Sequence, residues 1–155
     1  MKAVVQRAKN ASVKVENAVT GSIGSGLLVY LGVARDDSEK DAEWMAEKIA
    51  NLRIFEDAHG KMNLSLLDVV AQDKTADATV GVLAVSQFTL LADAAKGRRP
   101  YYGEAADPEK ANGLYECFME KIRERGLICE AGIFQAHMDV TYTNDGPVTI
   151  ILDSP

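Results

Sequence analysis

Apolar positions in the first third of the chain alternate with polar ones in short runs: Val4 and Val5, Val13 and Val15, then Val19 and Ile23. Alternation with a period of two puts successive side chains on opposite faces of a strand, so this stretch predicts β structure. Glu16-Asn17 is a candidate hairpin turn, and Gly21, Gly24 and Gly26 punctuate the connection after it. Leu27 to Val33 is apolar without a break over the length of a strand, which predicts burial on both faces.

The period then changes. Ala42, Met45, Ala46, Ile49 and Leu52 recur at helical spacing, while Glu43, Glu47 and Lys48 take the other face. Ser38 with Asp41 three residues on reads as an acidic capping box at the start of this helix. Ile54-Phe55 leads into a turn at Asp57-Ala58-His59-Gly60. Leu64 to Val70 is apolar, residues 71–78 read as a solvated loop, and strand character returns from Val80 to Leu91. Lys96-Gly97-Arg98-Arg99-Pro100 is a basic, turn-rich loop.

A second helix is announced by Asp107 as N-cap and by Pro108 at the first helical position, where a missing N–H costs nothing. Ala111, Leu114, Tyr115, Phe118 and Ile122 form its apolar stripe, and Gly126 stops it. Met138 to Tyr142 and Val148 to Leu152 predict two final strands, joined by Asn144-Asp145-Gly146-Pro147. The sum predicts an α+β fold: a mostly antiparallel, barrel-like sheet with two main helices, in one domain over residues 1–155.

Composition adds limits. The chain has 155 residues, 47% hydrophobic and 26% charged, enough to bury a core without metal or disulfide staples. A formal net charge of −6 argues against a broad basic face for nucleic acid. Any RNA contact must rest on a local patch, for which Lys96, Arg98 and Arg99 are the best candidates. Cys117 and Cys129 have neither C-x-x-C spacing nor histidines placed for a zinc site, so free thiols, no metal and no other cofactor are expected. No apolar run approaches the roughly 18–20 residues of a membrane span. The N-terminal residues turn polar too soon for a signal peptide, so a cytoplasmic protein with no membrane partner is expected.

Familiar catalytic patterns are missing. His59 and His137 are the two histidines, neither beside a serine elbow, and there is no P-loop, dinucleotide fingerprint or H-E-x-x-H. Two segments remain. Ser86-Gln87-Phe88-Thr89-Leu90 ends an apolar run and reads either as the polar floor of a site or as a strand end whose hydroxyls satisfy nearby backbone. Asn144-Asp145-Gly146-Pro147-Val148-Thr149 reads either as a hairpin turn or as a corner with a cis X-Pro bond whose carbonyls face a ligand.

Together these segments resemble the two signature motifs of the D-aminoacyl-tRNA deacylase family. The likeness extends through Gln6-Arg7, Gly26-Leu27-Leu28-Val29, Asn51-Leu52-Arg53-Ile54-Phe55, Lys61-Met62-Asn63-Leu64-Ser65 and Lys96-Gly97-Arg98-Arg99-Pro100, in the family's order. It departs at Val70 to Gly81, which is longer than the family's usual connection.

The resemblance implies a homodimer that hydrolyses the ester joining a D-amino acid, or glycine, to the 3′ end of tRNA. It places Ser86, Gln87, Phe88 and Thr89 at the catalytic site, and Phe134 and Met138 around the adenosine. A cis Gly146-Pro147 corner, held by Arg7, enters the other subunit's site and excludes L-amino acids. An alcohol nucleophile needs a base, and the first motif, which carries the candidate hydroxyls, supplies no histidine, lysine or carboxylate. The resemblance therefore points to catalysis assisted by the substrate's 2′-hydroxyl, with oxyanion donors from backbone N–H groups near Phe88 and Thr89. The alternative is a non-catalytic RNA-binding homologue on the same fold.

Overall fold

The computed structural model describes residues 1–72 and 79–155. Strands β1 (Lys2–Val15) and β2 (Ala18–Gly32) form a long antiparallel hairpin. Its loop is Glu16-Asn17, with φ of +49° and +69°, the pair of positive angles that a type I′ turn requires. Two short strands, β3 (Phe55–Glu56) and β4 (Met62–Leu64), flank the expected turn, where the Asp57 carboxylate accepts from the backbone of His59 and Lys61. The remaining strands are β5 (Val80–Ser86), β6 (Ile128–Ala131) and β7 (Asp139–Asp153).

The main sheet runs β6-β5-β2-β1-β7. It is open and mixed, which corrects the expectation of a mostly antiparallel, barrel-like sheet. β1 is antiparallel to both neighbours, whereas β5 is parallel to β2 and to β6. Parallel neighbours need long crossovers, and helices supply them here. The glycines after the first hairpin also lie inside β2 rather than in a connection. At Gly26 the adjacent strand comes so close that a Cβ would sit 1.9 Å from the Gly81 carbonyl oxygen.

Helix α1 (Glu39–Ala50) begins as expected: the Asp41 carboxylate accepts from both the N–H and the hydroxyl of Ser38, each at 2.8 Å. A third helix, α2 (Leu66–Gln72), stands where only an apolar run was foreseen. The same device opens it, Ser65 donating N–H and hydroxyl to Asp68 at 2.8 and 2.7 Å. Helix α3 (Pro108–Glu124) starts with the Asp107 carboxylate on the Lys110 N–H at 3.0 Å, and Gly126 ends it at φ +78°. Residues 73–78 of the long connection lie outside the described part.

Helices α1 and α3 cover one face of the sheet. Met45, Ala46 and Ile49 meet Phe118 and Ile122 there, over Val5, Leu27, Val29 and Val82. The opposite face gathers Val13, Leu28, Leu83 and Val85, with Tyr30, Met138, Val140 and Tyr142 only partly covered. No helix among the described residues is long and apolar enough to cross a membrane.

Candidate active site

The parallel pairing of β2 with β5 fixes where the first motif emerges. Ser86 lies opposite Leu31, and the Gln87 N–H donates to the Leu31 carbonyl at 2.8 Å. The chain then tightens into a 3-10 turn, Phe88–Leu91. A cleft of about 800 Å³ opens at this strand end. Ser86, Gln87 and Phe88 line it together with Phe134 and Met138, so the fold brings five of the candidate residues to one place from opposite parts of the chain. Its size falls within the range of small-molecule sites.

Thr89 is placed differently. It is exposed on the turn and does not line the cleft; its hydroxyl accepts a hydrogen bond from the Gln87 side-chain amide at 2.5 Å. Tyr115 and His137 do line the cleft, and neither was singled out from the sequence. Tyr115 sat on the apolar stripe of α3, and its signal was its hydroxyl, since a buried tyrosine needs a polar partner. It donates to the Ala84 carbonyl at 2.9 Å, its ring lies 6.2 Å from that of Phe134, and burial pushes its phenol well above the ordinary range. His137 stands in the loop before β7 with its side chain 96% exposed.

The second motif is not a turn between two strands. β7 runs unbroken from Asp139 to Asp153 along β1. Gln6 pairs with Thr149 and Ala8 with Asn144, so Arg7 alone faces the four residues Asp145 to Val148. Four residues opposite one must bulge out of the ladder, which is how a turn-like composition fits inside a strand. At the bulge tip Gly146 and Pro147 are exposed and joined by a cis peptide bond. Gly146 has φ +119°, and a Cβ there would meet Arg7 Nη2 and Val148 Cγ2 at 2.9 Å each.

Arg7 anchors this corner from beneath. It is 7% exposed, donates through Nη1 to the Ile54 carbonyl at 2.7 Å and through Nε to the Asp145 carbonyl at 3.3 Å, and pairs with Asp145 Oδ2 at 3.2 Å. Lys9 Nζ reaches the other carboxylate oxygen at 2.9 Å. The Lys9 hydrogen bond, with the Arg7 charge beside it, holds the Asp145 carboxyl below the usual range. A second set of bonds ties the two ends of the bulge. Tyr142 donates to Gln6 at 2.7 Å, and Gln6 and Asn144 both donate to the Thr149 hydroxyl, at 3.1 and 3.0 Å. Asn144 Oδ1 in turn accepts from the Val148 N–H at 3.3 Å.

Arg7, Gly146 and Pro147 do not line the cleft. Lys96, Arg98 and Arg99 occupy an exposed loop closed by paired backbone bonds between Asp93 and Tyr101, 2.8 Å in each direction. Cys117 and Cys129 are unpaired, and burial pushes the Cys129 thiol up to about 12. Among the described residues no three His, Cys, Asp or Glu side chains converge as metal ligands.

The family described as D-Tyr-tRNA(Tyr) deacylase matches residues 4–153. The D-aminoacyl-tRNA deacylase of Kosmotoga olearia is 56% identical over 154 residues, covering 99% of this chain and 97% of its own. That of Bacillus pumilus is 53% identical and covers 99% of both. Among solved structures, the c-Myc DNA unwinding element binding protein shares 42% identity with a TM-score of 0.88, over 100% of this chain and 99% of that one. A probable eukaryotic D-amino acid tRNA deacylase shows the same fold at 16% identity, with a TM-score of 0.79 over 97% of each chain.

Proposed function

The chain belongs to the D-Tyr-tRNA(Tyr) deacylase family, a family of hydrolases, and from that premise we propose that its cleft and its corner form one site shared between two copies. The observation that carries the proposal is their separation within a single chain. Val140 and Gly146 are six residues apart on one strand. At about 3.3 Å per residue, less what the bulge takes up, the corner stands on the order of 15 Å from its own cleft. An exposed loop anchored this firmly beneath is suited to reach into a neighbouring molecule.

In the assembled site, the aminoacyl end of tRNA enters the cleft, with its adenosine between Phe134 and Met138. The partner's copy of the corner turns its Gly146 and Pro147 carbonyls toward the α-amino group. That backbone wall leaves no room for a side chain of L configuration. Selection by exclusion reads no side chain closely, so many D-amino acids are accepted, and glycine, having nothing to clash, is accepted too.

Hydrolysis then needs a water on the ester carbonyl carbon. The new C–O bond forms, the bond to the ribose oxygen breaks, and that oxygen leaves as a hydroxyl, giving free amino acid and tRNA. The neighbouring 2′-hydroxyl positions the water. The N–H of Phe88 opens the 3-10 turn at the cleft wall, where donors have no partner within the turn, and serves as donor to the developing oxyanion, with the Thr89 N–H next to it in the chain. The Thr89 hydroxyl is engaged by Gln87 and positions the turn rather than attacking.

Turnover of D-Tyr, Gly and L-Ala esters on matched tRNAs tests this directly. The D and glycyl esters should be cleaved and the L ester spared. Preference for the L ester would overturn the selector, and binding without turnover of any ester would favour a non-catalytic RNA-binding role.

A further inference from the structure

Beside the cleft lies a surface that the site described so far touches only through Phe88. Phe88, Tyr101 and Tyr102 are exposed aromatics on neighbouring segments, Phe88 57% and Tyr101 65% accessible. The rings of Phe88 and Tyr102 meet edge to face at 5.1 Å between centroids. The Tyr101 ring lies across Gly103: a Cβ there would fall 2.0 Å from its hydroxyl oxygen and 2.1 Å from Cζ. The absent side chain is what lets the ring lie down on the backbone.

Cations border these rings on two sides. The bridge between Asp93 and Tyr101 holds the loop bearing Lys96, Arg98 and Arg99 against Tyr101. On the other side Arg35 donates to the Gly103 carbonyl, and Lys110 Nζ donates to the Arg35 carbonyl at 2.6 Å. Over residues 93–104 the cations Lys96, Arg98 and Arg99 outnumber the carboxylates Asp93 and Glu104, and Asp93 is occupied by the Ala95 N–H, whereas Asp36, Asp107 and Glu109 accompany Arg35 and Lys110. In a chain of net charge −6, the 93–104 segment alone is a local reversal of sign.

Resting on the deacylase reading above, we propose that this surface binds the unpaired nucleotides next to the terminal adenosine of tRNA. The bases stack on Tyr101 and Tyr102, and their phosphates face Lys96, Arg98 and Arg99. Open aromatic faces with flanking cations suit single strands, whose bases are free to stack, rather than a duplex whose bases are already stacked. Continuity with the cleft through Phe88 places the surface where the strand must leave the site.

The test compares full-length D-tyrosyl-tRNA with D-tyrosyl-adenosine, which lacks those nucleotides. Stacking on an aromatic side chain is worth about 1–3 kcal/mol per base. Tyr101→Ser and Tyr102→Leu should therefore each lower the ratio of kcat/KM for the long over the short substrate about tenfold, through KM, and Tyr101→Phe should restore it. An unchanged ratio, or equal loss on both substrates, would overturn the proposal. A second arm uses a single-stranded RNA ending in CCA and reads affinity by fluorescence anisotropy. Tyr101→Ser should weaken that affinity about tenfold, and equal affinity would also overturn it. If the unaltered protein cleaves neither ester, the deacylase reading fails, and the anisotropy arm alone decides whether the surface binds single strands.

Discussion

The cleft is walled by groups the core already holds in place, whereas the corner stands in solvent on a handful of polar bonds. Tyr115, fixed to the Ala84 carbonyl, and Phe134 beside it belong to the packed side of the sheet. Gly146 and Pro147 owe their position to Arg7, Asp145, Lys9 and the Gln6–Thr149–Asn144 chain. Dense packing makes a wall that is expensive to move and tolerant at its rim. A polar scaffold is accurate while every member is present and loses its aim when one is lost.

The contrast breaks most sharply at Gly146. Gly146→Ala forces a side chain into a positive-φ position against Arg7 and Val148, displacing the corner while leaving the cleft packed. About a 100-fold loss of kcat/KM on a D-aminoacyl-tRNA is expected, the scale of a misplaced positioning group, with an intact melting transition. Mixing this variant with one damaged in the cleft, Gln87→Ala, should restore activity if sites are shared between copies. No recovery would mean that each chain works alone.

Arg7→Met comes next. It leaves the Ile54 carbonyl and Asp145 without their buried partner, at a cost of about 2–4 kcal/mol in urea denaturation. Discrimination between D and L esters should weaken as well. Stability loss with unaltered discrimination would show that the corner does not depend on its anchor.

Thr89→Ala sharpens the comparison from the other side. The hydroxyl is exposed and bonded to Gln87, so kcat should fall by no more than about threefold, since only one exposed hydrogen bond is lost. Loss of all turnover in a folded variant would make it the nucleophile. The smallest effect is expected from acid. Asp145 titrates below the ordinary aspartate value of about 3.9, so the stability it contributes is complete above that value. It is lost only as pH falls through the lowered value, and discrimination should be level from pH 7 to 5. A decline within that range would remove Asp145 from the scaffold.

Local signals in the sequence were legible. The Glu16-Asn17 turn, the Ser38–Asp41 cap and the Asp107-Pro108 helix start each depend on a few adjacent residues, and each forms as read. The Ser65–Asp68 cap was equally local, but the helix it opens is too short to show a period. Strand direction was not legible, because β2, β5 and β6 are set side by side by long-range packing and the apolar runs look alike either way. Glycines in β2 looked like punctuation, since close approach and turning call for the same residue. Asn144 to Pro147 carried turn residues into a bulge for a related reason: both need the backbone to leave the ladder. Ser86 to Phe88, Phe134 and Met138 meet in the cleft, but only the folded sheet reveals that Thr89 stands outside it and Tyr115 within.

β7 gives the molecule a built-in ruler. Val140 at one end and Asp145 to Val148 further along are graduations on the same strand, with no hinge or linker between them. Any insertion or deletion between Thr141 and Asn144 would change the distance, and one of an odd number of residues would also flip the facing of everything beyond it. The interval is thus a constraint on the site of the same kind as the glycine at its far mark.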